Sequence, residues 1–338
     1  ACGATGWRGP GVAADGSRVV RADEERLAAQ LDMLAREETF DYEAGEQRWI
    51  APVDADGVAR ACAAHPDARI VAGATDVGLW ITKQHRDLGT MVSTLAARDL
   101  ARIRRDGGVL EIGAAASLAD AFAALDGDFP ELREAWIRFA SVPIRNAGTL
   151  GGNVANGSPI GDSMPALIAL GAEVVLRLGD ATRAMPLEDY YLAYQRTARA
   201  PGEFVAALRV PARRDGLALR AYKVSKRYDQ DISAVFATFA LAIDGGRVAS
   251  ARIGCGGVAA TPKRATATEA SLTGRAWTRE TAEHAAGVLE AEFAPIDDMR
   301  ASATYRRRSL ANLMRRFWLE TGGASGAPTR VEQLLAAE

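Results

Sequence analysis

The sequence predicts an α+β fold divided into two domains. Up to residue 210, short apolar strands alternate with helical segments, whereas beyond it three strands precede three helices. A charged, glycine-terminated break at 212–216 separates the two patterns. At 338 residues the chain is long enough to bury two hydrophobic cores. We expect domains at 48–213 and 214–321, a linker-like extension at 1–47 and a loose tail at 322–338.

Composition excludes several classes of function. Basic and acidic residues nearly balance, 41 against 43, so no bulk field favours nucleic acid or an anionic membrane. The longest largely apolar run, 234–243, is far shorter than the ~20 residues of a spanning helix. Cys2, Cys62 and Cys255 are too few and too widely spaced for a disulfide framework or a zinc site. With no signal-peptide pattern, we expect a cytoplasmic protein without a metal of its own.

Hydrophobic periodicity defines the elements of the first domain in chain order. Residues 1–20 are interpreted as irregular, 24–36 as a helix and 40–47 as a polar linker. Strands are expected at 69–72, 91–95, 109–114, 173–178 and 203–210. Helices are expected at 58–64, 76–83, 118–125, 131–139 and 164–170, and Ser117 is the predicted N-cap of the third.

The second domain is expected to contain strands at 218–225, 235–243 and 248–254, with a hairpin turn at Asp244-Gly245-Gly246. Helices follow at 266–272, 278–293 and 302–319. In the last of these, an apolar stripe from Leu310 to Trp318 marks the buried face. The arginines that flank the stripe are interpreted as a solvated face and not as a nucleic-acid patch; they are Arg306, Arg307, Arg308, Arg315 and Arg316.

The stretch 139–165 holds the residues most suggestive of a ligand site. Its five glycines, three prolines and three asparagines favour tight turns over a regular helix or a long strand. Successive N–H groups in such turns form a nest of positive partial charge that suits an anion. A second glycine bend, 73–76, joins a predicted strand to a predicted helix, where N–H groups also remain unpaired. The alternative interpretation is an irregular loop with only a structural role.

Other nucleotide and catalytic motifs fail their structural context. Two matches to the Gly-x-Gly-x-x-Gly/Ala pattern begin at Gly9 and Gly254, but the first lacks a preceding strand and the second lacks a following helix. No Walker lysine, hydrolase arrangement or metal-spaced histidine occurs. Two glycine bends and the charged segment 223–233 instead suggest a long ligand with phosphates in its middle, which a dinucleotide satisfies. A surface charge run is the alternative for that segment.

Several segments resemble the FAD-binding part of molybdenum hydroxylases. They are Gly73-Ala74-Thr75-Asp76, Arg145-Asn146-Ala147-Gly148-Thr149-Leu150-Gly151-Gly152-Asn153 and Ser158-Pro159-Ile160-Gly161-Asp162. The segment 223–233 is similar to bacterial xanthine dehydrogenase small subunits in particular. The resemblance runs from about residue 48 to about residue 320. It implies a vanillyl-alcohol-oxidase/p-cresol-methylhydroxylase-type FAD-binding domain of two α/β subdomains, followed by a small α/β domain with a three-stranded antiparallel sheet and helices.

The resemblance also implies roles for individual residues. Segment 69–77 resembles the first pyrophosphate loop, and Lys223 matches a lysine near the isoalloxazine. Arg227, with Lys223 the implied catalytic pair, lies beside Gln230 in a loop that governs approach of the electron acceptor. The implied cofactor-binding residues are Arg69, Ile70, Val71, Ala72, Gly73, Ala74, Thr75, Asp76, Phe139, Gly148, Thr149, Gly152, Asn153, Asn156, Ser158, Asp162, Phe204, Val205 and Lys223.

The implied function is electron transfer in an enzyme of the xanthine dehydrogenase type. FAD would receive electrons from [2Fe–2S] clusters and pass hydride to NAD⁺, while a large subunit with the molybdenum cofactor hydroxylates the substrate. Segment 2–8 is similar to the end of the second cluster motif, but Ala4 replaces a ligand cysteine. We therefore expect the iron–sulfur module on another chain of a hetero-oligomer, or lost upstream.

Two alternatives remain open at this point. The first is the medium FAD subunit of a carbon monoxide, aldehyde or hydroxybenzoyl-CoA oxidoreductase, the last disfavoured because no four-cysteine insert occurs. The second is a flavin-fold assembly or binding module without a redox role. Flavin absorbance that a reductant bleaches and NAD⁺ restores would distinguish the second from the redox interpretations.

Overall fold

The computed structural model describes residues 22–322 and residue 329. Of its two units, 1–39 and 40–338, the first contributes helix α1 (Ala22–Met33), which overlaps the helix predicted at 24–36. The predictions for residues 1–20, for the cluster-like opening and for most of the tail lie outside the described residues. No helix in the described part of the chain is long and apolar enough to cross a membrane.

The second unit begins with a four-stranded mixed sheet in the order β1-β2-β4-β3, with β4 parallel to both of its neighbours. The prediction of a linker at 40–47 is wrong, because these residues form an antiparallel hairpin around Gly45, whose φ is 61°. Strand β1 is exposed on both faces, so its sequence does not alternate between apolar and polar residues. The elements are β1 (Phe40–Ala44), β2 (Gln47–Ala51), α2 (Ala55–Ala64), β3 (Arg69–Val71), α3 (Val77–Thr82) and β4 (Thr90–Ser93).

A five-stranded antiparallel sheet follows, in the order β5-β6-β11-β7-β8. The predicted strands β6, β7 and β11 form its centre and carry fully buried residues, whereas the edge strands β5 and β8 are mostly exposed and gave no apolar signal. The strands of this part are β5 (Ile103–Asp106), β6 (Val109–Gly113), β7 (Glu173–Leu178), β8 (Ala181–Pro186), the small hairpin β9 (Tyr191–Ala193) and β10 (Arg196–Thr197), and β11 (Phe204–Pro211).

Six helices accompany the five-stranded sheet, together with 3₁₀ turns at Arg98–Ala101 and Pro130–Leu132. The predicted cap is confirmed, since Ser117 Oγ accepts a hydrogen bond from Asp120 N at 3.0 Å. The helices are α4 (Leu118–Asp128), α5 (Arg133–Ile137), α6 (Val142–Ala147), α7 (Leu150–Asn156), α8 (Ser163–Ala169) and α9 (Leu187–Tyr190).

Helices α6 and α7 contradict the prediction that the stretch 139–165 contains turns only. Each is shorter than two turns and begins at a side-chain cap, Ser141 for α6 and Thr149 for α7. Helix α7 ends at Gly157, which adopts a left-handed φ of 61°. Capping at the ends therefore outweighs the low helix propensity of the glycines inside α7.

The second domain contains an antiparallel sheet in the order β12-β13-β14-β15. The predicted three-stranded sheet is confirmed, with the two-residue strand β15 added at its edge. Gly245 and Gly246 both have positive φ, 54° and 74°, as a type I′ hairpin turn requires. The elements are β12 (Leu217–Val224), β13 (Val235–Asp244), β14 (Arg247–Gly256), β15 (Lys263–Arg264), α10 (Thr266–Leu272), α11 (Arg279–Glu292) and α12 (Ala303–Thr321).

Helix α12 packs its predicted apolar face into the core of this domain. Leu310, Met314 and Phe317 are fully buried, and Phe317 stacks on Phe239 with ring centroids 5.2 Å apart. The prediction of a solvated arginine face is wrong for Arg306, whose side chain is 2% exposed. Arg306 lies four residues before Leu310 and therefore shares the buried face.

Candidate functional site

The two glycine bends are in direct contact. A Cβ added to Gly73 would lie 1.7 Å from the carbonyl oxygen of Ala147 and 2.7 Å from Cα of Gly148. A Cβ added to Gly148 would lie 3.4 Å from Thr75 Oγ1. Only glycine permits this approach of one main chain to the other. We call residues 72–76 and 147–152 together the glycine junction.

In the first bend of the junction, several main-chain N–H groups have no hydrogen-bond acceptor in the described part of the chain. Among the described residues, none accepts a hydrogen bond from the N–H groups of Gly73, Ala74, Thr75 or Asp76. Ala74 has a left-handed φ of 55°, a costly conformation for a residue with a side chain, so the surrounding packing imposes the shape of the bend. Consecutive unpaired N–H groups at a half-exposed position form a site for an anion such as a phosphate.

The second bend uses its N–H groups internally. Leu150 N donates to Ala116 O at 3.0 Å, and Gly151 N donates to Ala114 O at 3.0 Å. Gly152 N donates to Thr149 Oγ1 at 3.1 Å. The predicted nest of outward-facing donors is therefore wrong at 150–152, because the start of α7 is tied to the loop after β6. What this bend offers a ligand is the bare, half-buried Cα of Gly152.

Three buried polar side chains join the two domains near the end of the stretch 139–165. Lys223 Nζ lies 2.5 Å from Asp162 Oδ2 and 3.0 Å from Ser233 Oγ, and Ser233 Oγ donates to Asp162 Oδ1 at 2.6 Å. The side chains of Lys223 and Asp162 are 3% and 4% exposed. Burial raises the pKa of Asp162, and the hydrogen bonds and charge of its partners oppose that rise. We call these three residues the Asp162 cluster.

Ser233 was not among the predicted site residues. It closes the 223–233 segment that carried the resemblance, and only the fold reveals that it bonds to Asp162. Other predicted residues lie along the same stretch. Asn153 Oδ1 accepts from Ser163 Oγ at 2.5 Å, Ser158 Oγ accepts from Ile160 N at 3.5 Å, and Asn156 is exposed.

Not every predicted residue directs its side chain toward a ligand. Phe204 and Val205, adjacent on β11, point into two separate hydrophobic cores and are 1% and 7% exposed. Of the β3 residues, Val71 is buried and Ile70 half-buried, while the Arg69 guanidinium stacks on the Trp80 ring, 5.0 Å from its centroid. A ligand contact from Phe204 would have to come from its main chain.

Phe139 belongs to a buried aromatic cluster in the core of the first domain. Its ring meets Phe122 edge to face at 5.2 Å, and Phe122 stacks on Trp136 at 4.3 Å. The indole N–H of Trp136 has no hydrogen-bond partner among the described residues. Phe139 is 9% exposed, so the ring contributes mainly to the core of the first domain.

The segment 225–231 is anchored from both domains. Arg138 donates to Tyr228 O at 2.7 Å and covers the Tyr228 ring, while Lys226 Nζ donates to Met299 O at 2.8 Å. Arg227 pairs with Asp231 at 3.0 Å and is 78% exposed. Arg227 therefore does not join Lys223 in the Asp162 cluster. Gln230 is exposed at a left-handed φ of 52°.

Comparisons with known proteins agree with this arrangement. A model of the FAD binding domain in molybdopterin dehydrogenase matches residues 40–213, and a model of the CO dehydrogenase flavoprotein C-terminal domain matches residues 220–321. A xanthine dehydrogenase of Emericella nidulans is 30% identical over 287 residues, which cover 80% of this chain and 21% of that protein. The chain therefore spans about a fifth of the length of that relative.

Carbon monoxide dehydrogenases are similarly related. The carbon monoxide dehydrogenase medium chain of Afipia carboxidovorans is 34% identical over 268 residues, which cover 78% of this chain and 91% of that one. A solved carbon monoxide dehydrogenase from Hydrogenophaga pseudoflava, which lacks the Mo-pyranopterin moiety of its molybdenum cofactor, aligns with a TM-score of 0.76 at 26% identity. That alignment covers 81% of this chain and 96% of the other.

The fold and the junction define a flavoprotein with a vanillyl-alcohol-oxidase-type FAD-binding domain followed by a small α/β domain, as the sequence predicted. The chain belongs to the FAD-binding components of the molybdenum hydroxylases, the family of the xanthine and carbon monoxide dehydrogenases. The residues present fit FAD, because the first bend supplies N–H donors that have no acceptor among the described residues, and the second supplies a glycine surface without a Cβ.

Proposed function

We propose that this chain is the FAD-carrying electron-transfer component of a xanthine dehydrogenase-type molybdenum hydroxylase. In this proposal it accepts electrons that arrive through [2Fe–2S] clusters and delivers them as hydride to NAD⁺. The observation that supports it most is the direct contact of the two glycine bends, one of which carries N–H groups that have no acceptor in the part of the chain that the structure describes. Similarity to xanthine dehydrogenase over 80% of the chain supports the enzyme class.

Bound FAD would supply the redox chemistry, namely acceptance of single electrons and release of a hydride. The chain supplies binding and electrostatics. The N–H groups of 73–76 would bind the diphosphate, and Gly152 would leave space for it. Lys223 and Asp162 form a buried ion pair. In the proposed site, the charges of these two side chains would set the local electrostatic potential at the isoalloxazine. Arg227, exposed at the surface, would act on the approaching acceptor.

Partner chains would complete the enzyme. The molybdenum cofactor and the [2Fe–2S] clusters would lie on a large subunit and on an iron–sulfur module of a cytoplasmic hetero-oligomer. Because the chain spans only about a fifth of the similar xanthine dehydrogenase, the rest of such an enzyme would lie outside this segment. Domain boundaries at 47/48 and 213/214 are part of the same proposal.

The proposal is tested first on the purified chain. We expect a yellow protein with flavin absorbance, bleached anaerobically by a reductant and restored by NAD⁺. Restoration by ferricyanide but not by NAD⁺ would exclude NAD⁺ as the acceptor while leaving the flavoprotein assignment intact. A colourless chain that does not bind added FAD would contradict the function altogether and favour an assembly module.

A role for Lys223 predicts a shift of the flavin potential. Loss of its positive charge removes stabilisation of the negative charge that reduction adds, so Lys223→Ala is expected to lower the two-electron potential by tens of millivolts; about 30 mV corresponds to ~1.4 kcal/mol. Without the ammonium, the pKa of buried Asp162 rises further, and protonation of Asp162 cancels part of the lost charge. The shift should therefore be largest at high pH and shrink as the pH falls.

A redox titration at several pH values measures this shift. The matched control is Lys226→Ala, which removes a lysine three residues away that binds Met299 O instead of Asp162. An unchanged potential for Lys223→Ala at high pH would refute the role.

A second candidate function is the medium chain of a carbon monoxide dehydrogenase. The specific observation in its favour is the 34% identity over 91% of the Afipia carboxidovorans medium chain. Activity of the complete complex distinguishes the two, with hypoxanthine oxidised in the first case and carbon monoxide in the second.

A further inference from the structure

Arg306 carries a charge that is buried in the second domain. Its side chain is 2% exposed and extends from the first turn of α12. The guanidinium donates to the carbonyl oxygens of Ala234 at 2.5 Å and Gly257 at 2.8 Å, and Nη2 lies 2.5 Å from Asp298 Oδ1. A buried guanidinium is retained only with several well-placed acceptors, so these contacts fix the positions of the groups that accept.

The first accepting carbonyl lies next to the Asp162 cluster along the chain. Ala234 directly follows Ser233, whose hydroxyl bonds to both Asp162 and Lys223. Ala234 N donates to Val224 O at 2.8 Å, and Val224 directly follows Lys223. The guanidinium therefore binds the main chain directly after Ser233, at the residue that pairs with the neighbour of Lys223.

The second accepting carbonyl is linked to the remaining member of the cluster. Gly257 N donates to Pro159 O at 2.7 Å, three residues before Asp162. Gly257 has a φ of 79°, and a Cβ added there would lie 2.4 Å from Ala234 O and 3.2 Å from Arg306 Nη1. Because residue 257 is a glycine, its main chain can approach the carbonyl of Ala234, and Arg306 donates to the carbonyl oxygens of both residues.

We propose that Arg306 is a positioning residue that holds Ser233, Lys223 and the Asp162 loop in register for the flavin. It acts through main-chain carbonyls on both sides of the cluster. The role at the flavin rests on the proposed function, whereas its effect on the geometry of the cluster belongs to the protein alone. A planar guanidinium reaches two carbonyls and a carboxylate in fixed directions, which the single ammonium of a lysine does not.

The first test uses the chain without FAD. Lysine acetylation followed by mass spectrometry reports the accessibility of Lys223, which is buried and paired in the wild type. We expect Arg306→Lys to make Lys223 reactive while circular dichroism stays unchanged. Arg306→Ala should behave likewise, and added guanidinium should restore the protection. Protection of Lys223 in every variant would overturn the proposal.

The second test uses the flavin. The dissociation constant for FAD should rise on the order of 10-fold in Arg306→Lys, the equivalent of about one charge-assisted hydrogen bond. Lys223→Ala should shift the potential less in the Arg306→Lys background than in the wild type, because the two residues are coupled. Additive shifts, as expected of a residue that only stabilises the fold, would overturn the proposal. Failure of the wild type to bind FAD would instead contradict the proposed function and leave the acetylation test decisive.

Two controls separate this role from general stability. Arg315→Lys changes another arginine of α12, which pairs with Glu283 at the surface. Asp298→Asn removes the ion pair of Arg306 and leaves the two carbonyl contacts in place. Arg315→Lys should keep Lys223 protected and FAD affinity unchanged, whereas Asp298→Asn, which leaves the buried guanidinium without its carboxylate, should expose Lys223 less than Arg306→Lys does. Exposure of Lys223 in Asp298→Asn equal to that in Arg306→Lys would assign the effect to the ion pair and overturn the role of the carbonyl contacts.

Discussion

Within residues 22–322, the N–H groups of the bend at 73–76 have no hydrogen-bond acceptor, whereas those at 150–152 all donate to protein oxygens. The first bend holds one glycine and the second holds three, and the two bends meet at one junction. In the second bend, Gly151 is required by packing, since an added Cβ would lie 2.4 Å from Cβ of Ala114. Glycine therefore marks close approach to another part of the main chain at Gly73 and Gly151, whereas Gly152 is the glycine whose bare Cα is proposed to face the ligand.

Gly73→Ala is expected to have the largest effect, because it acts on both bends at once. The new Cβ would lie 1.7 Å from Ala147 O, so the bends must separate. We expect a loss of about 2–3 kcal/mol in the free energy of unfolding and loss of FAD binding. Urea unfolding and flavin titration measure the two effects. Wild-type values for both would show that the bends do not depend on this contact.

Gly152→Val should affect the ligand more than the fold. Its Cβ would lie 2.9 Å from Thr149 Oγ1 and 3.7 Å from Ala72 Cβ, at the surface proposed for the diphosphate. We expect the purified variant to lack flavin while its unfolding free energy falls by about 1 kcal/mol, the combined cost of a strained cap and a β-branched residue.

The control for Gly152→Val is Ala155→Val, which places the same side chain on an exposed position of α7. That variant should retain flavin. Full retention of flavin by Gly152→Val as well would place the diphosphate elsewhere.

How far the sequence predicts the fold depends on burial. The central strand β7 begins and ends at the predicted residues, because a buried strand carries a strong apolar pattern. Helix α10 also begins and ends where predicted, although two of its buried residues, Thr268 and Glu269, are polar. Exposed edge strands such as β1 carry none. Helix α7 was missed because glycine content was weighed above the capping signal of Thr149, and Arg306 was misassigned although its spacing from Leu310 matches the buried face.

For the candidate site, the sequence predicts which residues belong to it but not which of those residues are in contact. The glycine bends and Lys223 could be identified from local motifs and from the family resemblance. Contact between Gly73 and Ala147, and the bond of Ser233 to Asp162, join segments 71–74 residues apart in the chain. Such contacts depend on the packing of whole sheets, which local patterns do not encode.

Gly78→Ala should have the smallest effect and the opposite sign. Gly78 lies in α3 directly after the first bend, and a Cβ added there meets no atom within 4 Å. Because its φ is negative, alanine is expected to raise helix propensity and stabilise the fold by about 0.5–1 kcal/mol, with FAD affinity unchanged. Urea unfolding and flavin titration provide both values. Loss of FAD from a stabilised variant would extend the ligand surface from Gly152 on the second bend to α3, and the two bends would then share the task of leaving room for the cofactor.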